Sequence, residues 1–380
     1  MGITVGIVGV GAFANVWIKI WKRHPDVDHI VLCDLKADLL AERANEHGIS
    51  DTSPSLEDLL KRRDVDVVAI YTQHWMHAEQ AIAALEAGKH VTAAVPAAYS
   101  IEACERLVET VKRTGLTYSQ LETSVYYPAI GWARKQHAAG RFGQIVYSEA
   151  QYFHDVSHGL IEVWKRRFGE GWEEKCGEAP FHYITHSTSG VMSVTGAHAT
   201  EVAAMGMEVA GDELYDARKP HGNAFANQVA LMRMSDGSTA RICEFRRIGH
   251  PGCVHFKFYG TEGSLESPPY QWADKNGERP VDLPLLHDDL PDELVRFVFG
   301  GHHGSHPYLV HDFVRAVVED TIPRVNVWEA VRHGLPGLVA IESAKRGGEL
   351  MKVPDFGSAP TEAEVSDFEA GKGEGEFLRY

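Results

Sequence analysis

The chain has 380 residues, enough for two domains with separate cores, and its 44% apolar and 24% charged content is that of a soluble globular protein. Thirty-seven basic against 53 acidic side chains leave a formal charge of −16, which argues against a nucleic-acid backbone or an anionic membrane as main partner. No apolar run of about eighteen residues exists and no basic region precedes an apolar stretch near Met1, so a cytoplasmic location is expected.

The first element is the apolar run Val5-Gly6-Ile7-Val8, which reads as a buried strand. It ends in Gly9-x-Gly11-x-x-Ala14, and a helical pattern with Phe13, Trp17, Ile20 and Trp21 on one face follows. Gly9 permits the tight turn, Gly11 lets a pyrophosphate approach the backbone, and small Ala14 lets the helix pack closely on the strand. With Ala12 and Phe13, this turn places free N–H groups at a helix N-terminus. A second apolar run, Ile30 to Cys33, ends in Asp34, where a carboxylate accepts hydrogen bonds from an adenosine ribose and repels a 2′-phosphate. The expected cofactor is therefore NAD, with Lys36 nearby on the same loop. The alternative is an ordinary strand–helix turn with Asp34 as a strand-end cap.

Strand and helix signals then alternate. A helix is expected from Ala37 to His47, closed by Gly48, and another opens at Ser53-Pro54 with Ser53 as N-cap. Val65 to Thr72 reads as a strand, Met76 to Ala87 as a helix, and His90 to Val95 as a strand. Ser100 starts a helix, and Leu116 to Leu121 is a further strand. Such alternation predicts a doubly wound parallel sheet with ligand sites at the carboxyl ends of its strands.

After Tyr126 the character changes. A helix near Ile130 to Ala139 precedes the alternating strand Ile145 to Tyr152. Long strand-like runs follow at Glu201–Val209, Ala224–Met234, Thr239–Arg246 and Val254–Tyr259, with Asp236-Gly237 as a hairpin turn. This predicts a second, α+β domain with a large, mostly antiparallel open sheet, whose uncovered face suits a homodimer or homotetramer. Helical patterns return at Pro307–Glu319 and Val327–Lys345. The expected division is residues 1–122 for the NAD-binding Rossmann domain, 123–357 for a substrate-binding and oligomerisation domain, and 358–380 for an acidic tail.

Over nearly its whole length the chain resembles the Gfo/Idh/MocA oxidoreductase family. The resemblance rests on Gly9-x-Gly11-x-x-Ala14, Thr72 with His77, Gly88-Lys89-His90-Val91, Gly140-Arg141-Phe142-Gly143 and Gly260-Thr261-Glu262-Gly263. It implies a Rossmann domain coupled to an α/β domain, and action on sugars or cyclitols with NAD(P). One departure is plain. Where the family usually has Glu-Lys-Pro after the fourth strand, this chain has Ala94-Val95-Pro96, so the lysine that orients the reacting hydroxyl is absent. Tyr183-Ile184-Thr185-His186, Val95-Pro96, Leu121-Glu122 with Tyr126, and Tyr152-Phe153-His154-Asp155 resemble the family's NAD-dependent glycosidases. The resemblance places Thr72, His74, His77 and Pro96 beside the cofactor, and Tyr126, His154 and His182 beside a sugar.

Tyr183 and His186 are three apart, so on one helical turn they face the same side. A phenol beside an imidazole is a plausible acid/base pair for a hydroxyl proton; the alternative is a helix start with partly buried aromatics. His182 and His186 also have metal-ligand spacing, which His154, Asp155 or His302 could complete, but nothing in the spacing demands it and no metal is expected. Five scattered cysteines without Cys-x-x-Cys pairs argue against structural zinc and a disulfide framework. Trp164, Lys165 and Arg166 read as a solvated polar loop. The glycine-rich Gly300 to Gly304 is flexible enough to bring His302 over a site.

The function expected is an NAD-dependent oxidoreductase acting on a carbohydrate or glycoside hydroxyl, with Tyr183 and His186 as acid/base pair. The rival enzyme is a redox-neutral glycosidase or lyase with recycled NAD. A non-catalytic sugar or nucleotide sensor is the reading from another class.

Overall fold

The computed structural model describes residues 2–267, 269–281, 283–284, 290–366 and 377–378. The chain divides into two compact units. The first takes Met1–Pro128, Pro284–Val331 and the stretch that begins at Phe356; the second takes Ala129–Leu283 and Arg332–Asp355. This differs from the division at residue 122, because the chain returns to the first unit after its second sheet. Helix His306–Glu319 is the reason. Its Tyr308, Leu309, Val310, Phe313 and Val314 share a core with Trp17, Ile18 and Trp21, and Phe313 meets the Trp21 ring edge-on at 6.2 Å. The 3.6-residue period of that helix shows a buried face but not which core it joins. The acidic tail expected over 358–380 is described to residue 366; residues 367–376, 379 and 380 lie outside the described residues.

The first unit holds a six-stranded parallel sheet: β1 (Ile3–Val8), β2 (Val27–Cys33), β3 (Thr52–Ser53), β4 (Val67–Ile70), β5 (His90–Ala93) and β6 (Tyr118–Gln120), in the order β3-β2-β1-β4-β5-β6. Order reverses between β1 and β4, and in doubly wound sheets ligands bind beyond the strand ends at that switch. β4 is buried throughout, as expected of a strand covered on both faces. Helices follow the expected pattern at Ala37–His47, His77–Glu86 and Ile101–Thr114, the last capped by Ser100, whose side chain accepts from the Ala103 N–H. One cap is corrected. Ser53 pairs with Cys33 in β3, and Ser55 instead caps helix Leu56–Leu60 by accepting from Asp58 N–H at 3.1 Å.

The second unit is built on a nine-stranded sheet. Its named strands are β7 (Ile145–Phe153), β8 (Ala199–Glu208), β9 (Phe225–Met234), β10 (Thr239–Phe245), β11 (Cys253–Gly260), β12 (Gly263–Glu266), β13 (Gln271–Asp274) and β14 (Gly277–Pro280). Their order is β14-β13-β12-β11-β7-β10-β9-β8, and Met351–Lys352 pairs beyond β8. All neighbours are antiparallel except β7 with β10. Asp236-Gly237 forms the expected hairpin turn, closed by Met234 N–H to Ser238 C=O at 2.9 Å.

Helix Thr185–Thr195 packs on one face of this sheet. Its Gly190 lies so close to β11 that a Cβ there would collide with the Phe256 ring. On β8 and β9, Met205, Met207 and Leu231 stay exposed. Trp164, Lys165 and Arg166 do not form a loop: they lie on helix Ile161–Phe168.

Candidate functional site

In the first unit the chain leaves β1 through a turn that only glycine permits. Gly9 has φ +85°, its N–H donates to Cys33 C=O at 2.8 Å, and a Cβ would stand 3.0 Å from Thr72 and from the Tyr71 backbone. Gly11 is different: a Cβ there would meet nothing within 4 Å. That open side is what close approach of a pyrophosphate requires. Ala14 is buried and begins helix Ala14–Trp21, while Ala12 and Phe13 are exposed at its start. This cradle fits a dinucleotide.

Asp34, at the end of β2, is half-buried. Its carboxylate accepts from Val10 N–H at 3.0 Å and from Lys36 N–H at 2.9 Å, so it does cap the loop. A carboxylate has about four lone-pair sites, which leaves acceptor capacity for a ribose hydroxyl. Lys36 is exposed.

Four further candidates meet after β4 and β5. Thr72 Oγ1 donates to Gln80 Oε1 at 2.5 Å, and His74 packs on Trp75 and Tyr99. His77 is buried, with Nδ1 2.9 Å from the Pro96 carbonyl and Nε2 3.3 Å from that of Thr72. It braces two loops, and Pro96 serves it as an acceptor. Tyr126 is fully buried in the first unit's core, its ring stacked on Tyr308 at 5.8 Å. His302 is exposed, with Nδ1 3.0 Å from His306 Nε2; His306 in turn lies 4.3 Å from the Trp17 ring.

The second unit gathers a separate cluster. Tyr183 ends the turn Pro180–Tyr183 and His186 lies in the first turn of helix Thr185–Thr195, so the pair straddles two elements. Their rings nonetheless meet edge-on at 5.2 Å. Tyr152 of β7 stands edge-on to His186 at 5.5 Å and 6.3 Å from Tyr183, and its hydroxyl is 2.5 Å from His154 Nδ1. His182 and His154 are half-buried. Asp155 is committed elsewhere: it accepts from the N–H groups of Ser157, Ile248 and Gly249, which hold its carboxyl at about 2, against the upward push of burial. Among the described residues no three His, Cys, Asp or Glu side chains are grouped to hold a metal ion.

The model of an oxidoreductase family, NAD-binding Rossmann fold, Gfo/Idh/MocA, matches residues 3–121. Beyond that domain the chain is similar to a "Glycosyl hydrolase family 109 protein" of Solibacter usitatus, 27% identical, the alignment covering 93% of this chain and 88% of the relative. A protein of the same description from Shewanella baltica is 26% identical over 93% of this chain and 85% of its own. Among solved structures, a levoglucosan dehydrogenase in complex with NADH and levoglucosan matches 93% of this chain and 100% of that one, with TM-score 0.78 and 20% identity. The myo-inositol 2-dehydrogenase of Lactobacillus plantarum matches 93% and 100%, with TM-score 0.74 and 19% identity. These two show a shared fold.

The Gfo/Idh/MocA resemblance pointed to Tyr183 and His186 but not to the charges beside them. Glu244 is wholly buried on β10, and Ser187 Oγ donates to its Oε1 at 2.6 Å. Arg246 lies 3.3 Å from the other carboxylate oxygen, with its guanidinium carbon 4.9 Å from the centre of the Tyr152 ring. Burial pushes the Glu244 carboxyl well above the usual carboxylate range, against the pull of Arg246, Ser187 and His186. The signal was present in the sequence. Ala240, Ile242, Glu244 and Arg246 occupy every second position, so the apolar pair already assigns the charged pair to the inward face.

Proposed function

We propose that the protein is an NAD-dependent enzyme that oxidises a hydroxyl of a carbohydrate or glycoside, with His186 and Tyr183 as its acid/base pair. The observation that carries this reading is the His186 imidazole, nearly buried and edge-on to the phenols of both Tyr152 and Tyr183. An imidazole titrates near neutrality and a phenol can donate or relay a proton, which is what alcohol oxidation asks of a protein. NAD, when bound, supplies the hydride acceptor. Gly9, Gly11, Ala14 and Asp34 would hold it in the first unit. His186 would accept the hydroxyl proton at a ring nitrogen, and Tyr183 would assist at its oxygen. His154 and His182 would hold the sugar. No lysine is needed at Val95 if the imidazole carries the proton.

A second reading, redox-neutral glycoside cleavage, is favoured by Tyr183-x-x-His186, by Val95-Pro96 and by relatives described as glycosyl hydrolases. Oxidation at one ring carbon acidifies its neighbour, elimination expels the aglycone, and the same cofactor is restored by reducing the product. The two readings share the first step and part at the last.

The experiment is NADH absorbance with excess NAD across free sugars and glycosides, with released aglycone assayed in parallel. NADH far exceeding enzyme establishes a dehydrogenase; aglycone without lasting NADH establishes the glycosidase. Neither signal across the panel sinks both readings and leaves the sensor.

No described helix is long and apolar enough to cross a membrane. A cytoplasmic location is part of this proposal, as is a homodimer or homotetramer through the sheet face that carries Met205 and Leu231. Light scattering on the purified protein tests the assembly.

A further inference from the structure

Taking two charges out of water costs several kcal/mol per ion unless they are paired and hydrogen-bonded. β10 nevertheless carries Glu244 and, just past its end, Arg246 on its buried face, both under a tenth exposed. The two are not placed at random. Glu244 is the register partner of Tyr152 on β7 and of Gln228 on β9. Gln228 Oε1 accepts from Phe181 N–H at 3.0 Å, so this cross-strand row also fixes the turn that ends in Tyr183. Glu244 accepts from Ser187, the residue after His186. Arg246 covers the Tyr152 ring and donates to Phe245 C=O at 3.2 Å. One buried carboxyl–guanidinium contact therefore touches the acid/base cluster from two sides: through a ring, and through the first turn of a helix.

We propose that Glu244 and Arg246 are positioning residues for this cluster: Arg246 stabilises negative charge on the Tyr152 phenol, and Glu244 fixes both Arg246 and the His186 turn. A cation over an aromatic face is attracted to the ring, more strongly when desolvated, and more strongly still to a phenolate. With its oxygen 2.5 Å from His154 Nδ1, Tyr152 then exchanges a proton with that imidazole: the O–H bond breaks as the N–H bond forms, and the reverse restores it. The charged and titratable groups facing this pair include Arg246 and Glu244 of the β10 segment, His186 of the helix, Tyr183 of the turn before it with its ring 6.3 Å from that of Tyr152, and Tyr215, which adjoins Arg246. This inference rests on the reading of His186 and Tyr183 as the acid/base pair.

The test uses the full chain with NAD, in the wild type and in Arg246→Met, Arg246→Lys and Tyr152→Phe. Two readouts are taken across pH: turnover, and ultraviolet absorbance of phenolate, the latter as the difference from the matching Tyr152→Phe protein. Arg246→Met is expected to move the Tyr152 titration upward by about one pH unit or more. It is also expected to lower kcat about 10- to 100-fold with KM changed less than about twofold. Arg246→Lys, which keeps the charge, is expected to recover most of the titration shift. Coincident Tyr152 titrations in wild type and Arg246→Met overturn the proposal, as does a loss of turnover that tracks a loss of thermal midpoint with no change of pH profile. Should Arg246→Met fail to fold, Glu244→Gln supplies the same pair of readouts, with the Ser187 contact retained. Unchanged turnover in His186→Ala would instead sink the underlying functional reading, and the phenolate titration still reports on Arg246.

Discussion

The turn at Gly9–Ala14 and the cluster around His186 are built in opposite ways. In the first unit the groups left open for the proposed cofactor are backbone N–H groups, and the side chains contribute by being small: Gly11 has open space where a Cβ would stand. In the second unit the groups are side chains from β7, a short turn, a helix and β10, brought together by strand register. A backbone site must be written locally, because the turn that aims the N–H groups is a few residues long. A side-chain site need not be, because any residue on the right face of the right strand can supply it.

The largest expected effects break the second kind of site. His186→Ala should lower kcat by about 10²- to 10⁴-fold, the range for losing a general acid/base, and Tyr183→Phe by less, both read from initial rates. The first kind should break through the main chain, and its two glycines should separate. Gly9→Val meets Thr72 and the Tyr71 backbone at positive φ, so strain and overpacking together should cost on the order of 3 kcal/mol in thermal or denaturant unfolding. Gly11→Ala adds a Cβ that meets nothing within 4 Å in the protein and should leave the unfolding midpoint in place while weakening NAD about tenfold or more, measured by calorimetry. If both variants lost stability equally, the open side of Gly11 would have no bearing on ligand binding.

That contrast also explains what could be read in advance. β1, the glycine turn, its helix and Asp34 span one short stretch in which period and punctuation agree, so the strand, the turn and the helix start are legible there. Ser53 and Ser55 are both good caps, and only the pairing of Ser53 with Cys33 chooses between them. The burial of Tyr126 depends on Tyr308, far along the chain, which no local pattern connects to it. Tyr183 and His186 were paired by spacing, although the true reason is the turn geometry before the helix. Glu244 and Arg246 were visible as inward positions of an alternating strand, but a residue's face does not name what it touches.

Each unit also buries a titratable pair, and the signs differ. In the first unit His24 Nδ1 accepts from Asp26 N–H at 3.1 Å, which leaves Nε2–H to donate to His311 Nδ1 at 2.9 Å. Burial lowers both imidazoles to about 4, with Arg315 adding to the effect on His311 and Asp26 and Glu319 opposing it. Below its ordinary value near 6.5 the unfolded chain takes up protons that the folded pair refuses, so stability falls as pH drops from about 6.5 towards 4. The expected loss by pH 4 is on the order of 3 kcal/mol for each imidazole, and His311→Asn, which keeps an acceptor for His24, should roughly halve the slope of unfolding free energy against pH.

Glu244 should do the reverse. Its carboxyl is raised in the folded state by burial, so between the ordinary glutamate value near 4.3 and its folded value the folded chain holds a proton that the unfolded chain has released. Stability therefore falls as pH rises through that window, by at most one proton, or about 1.4 kcal/mol per pH unit. Glu244→Gln removes the titration while keeping an acceptor for Ser187, and should flatten the neutral limb of the stability profile without touching the acidic limb set by the histidines. This prediction is the most discriminating. A neutral limb unchanged in Glu244→Gln would mean that Arg246 holds the carboxylate ionised throughout, and the ion pair would then be a fixed part of the cluster at every working pH.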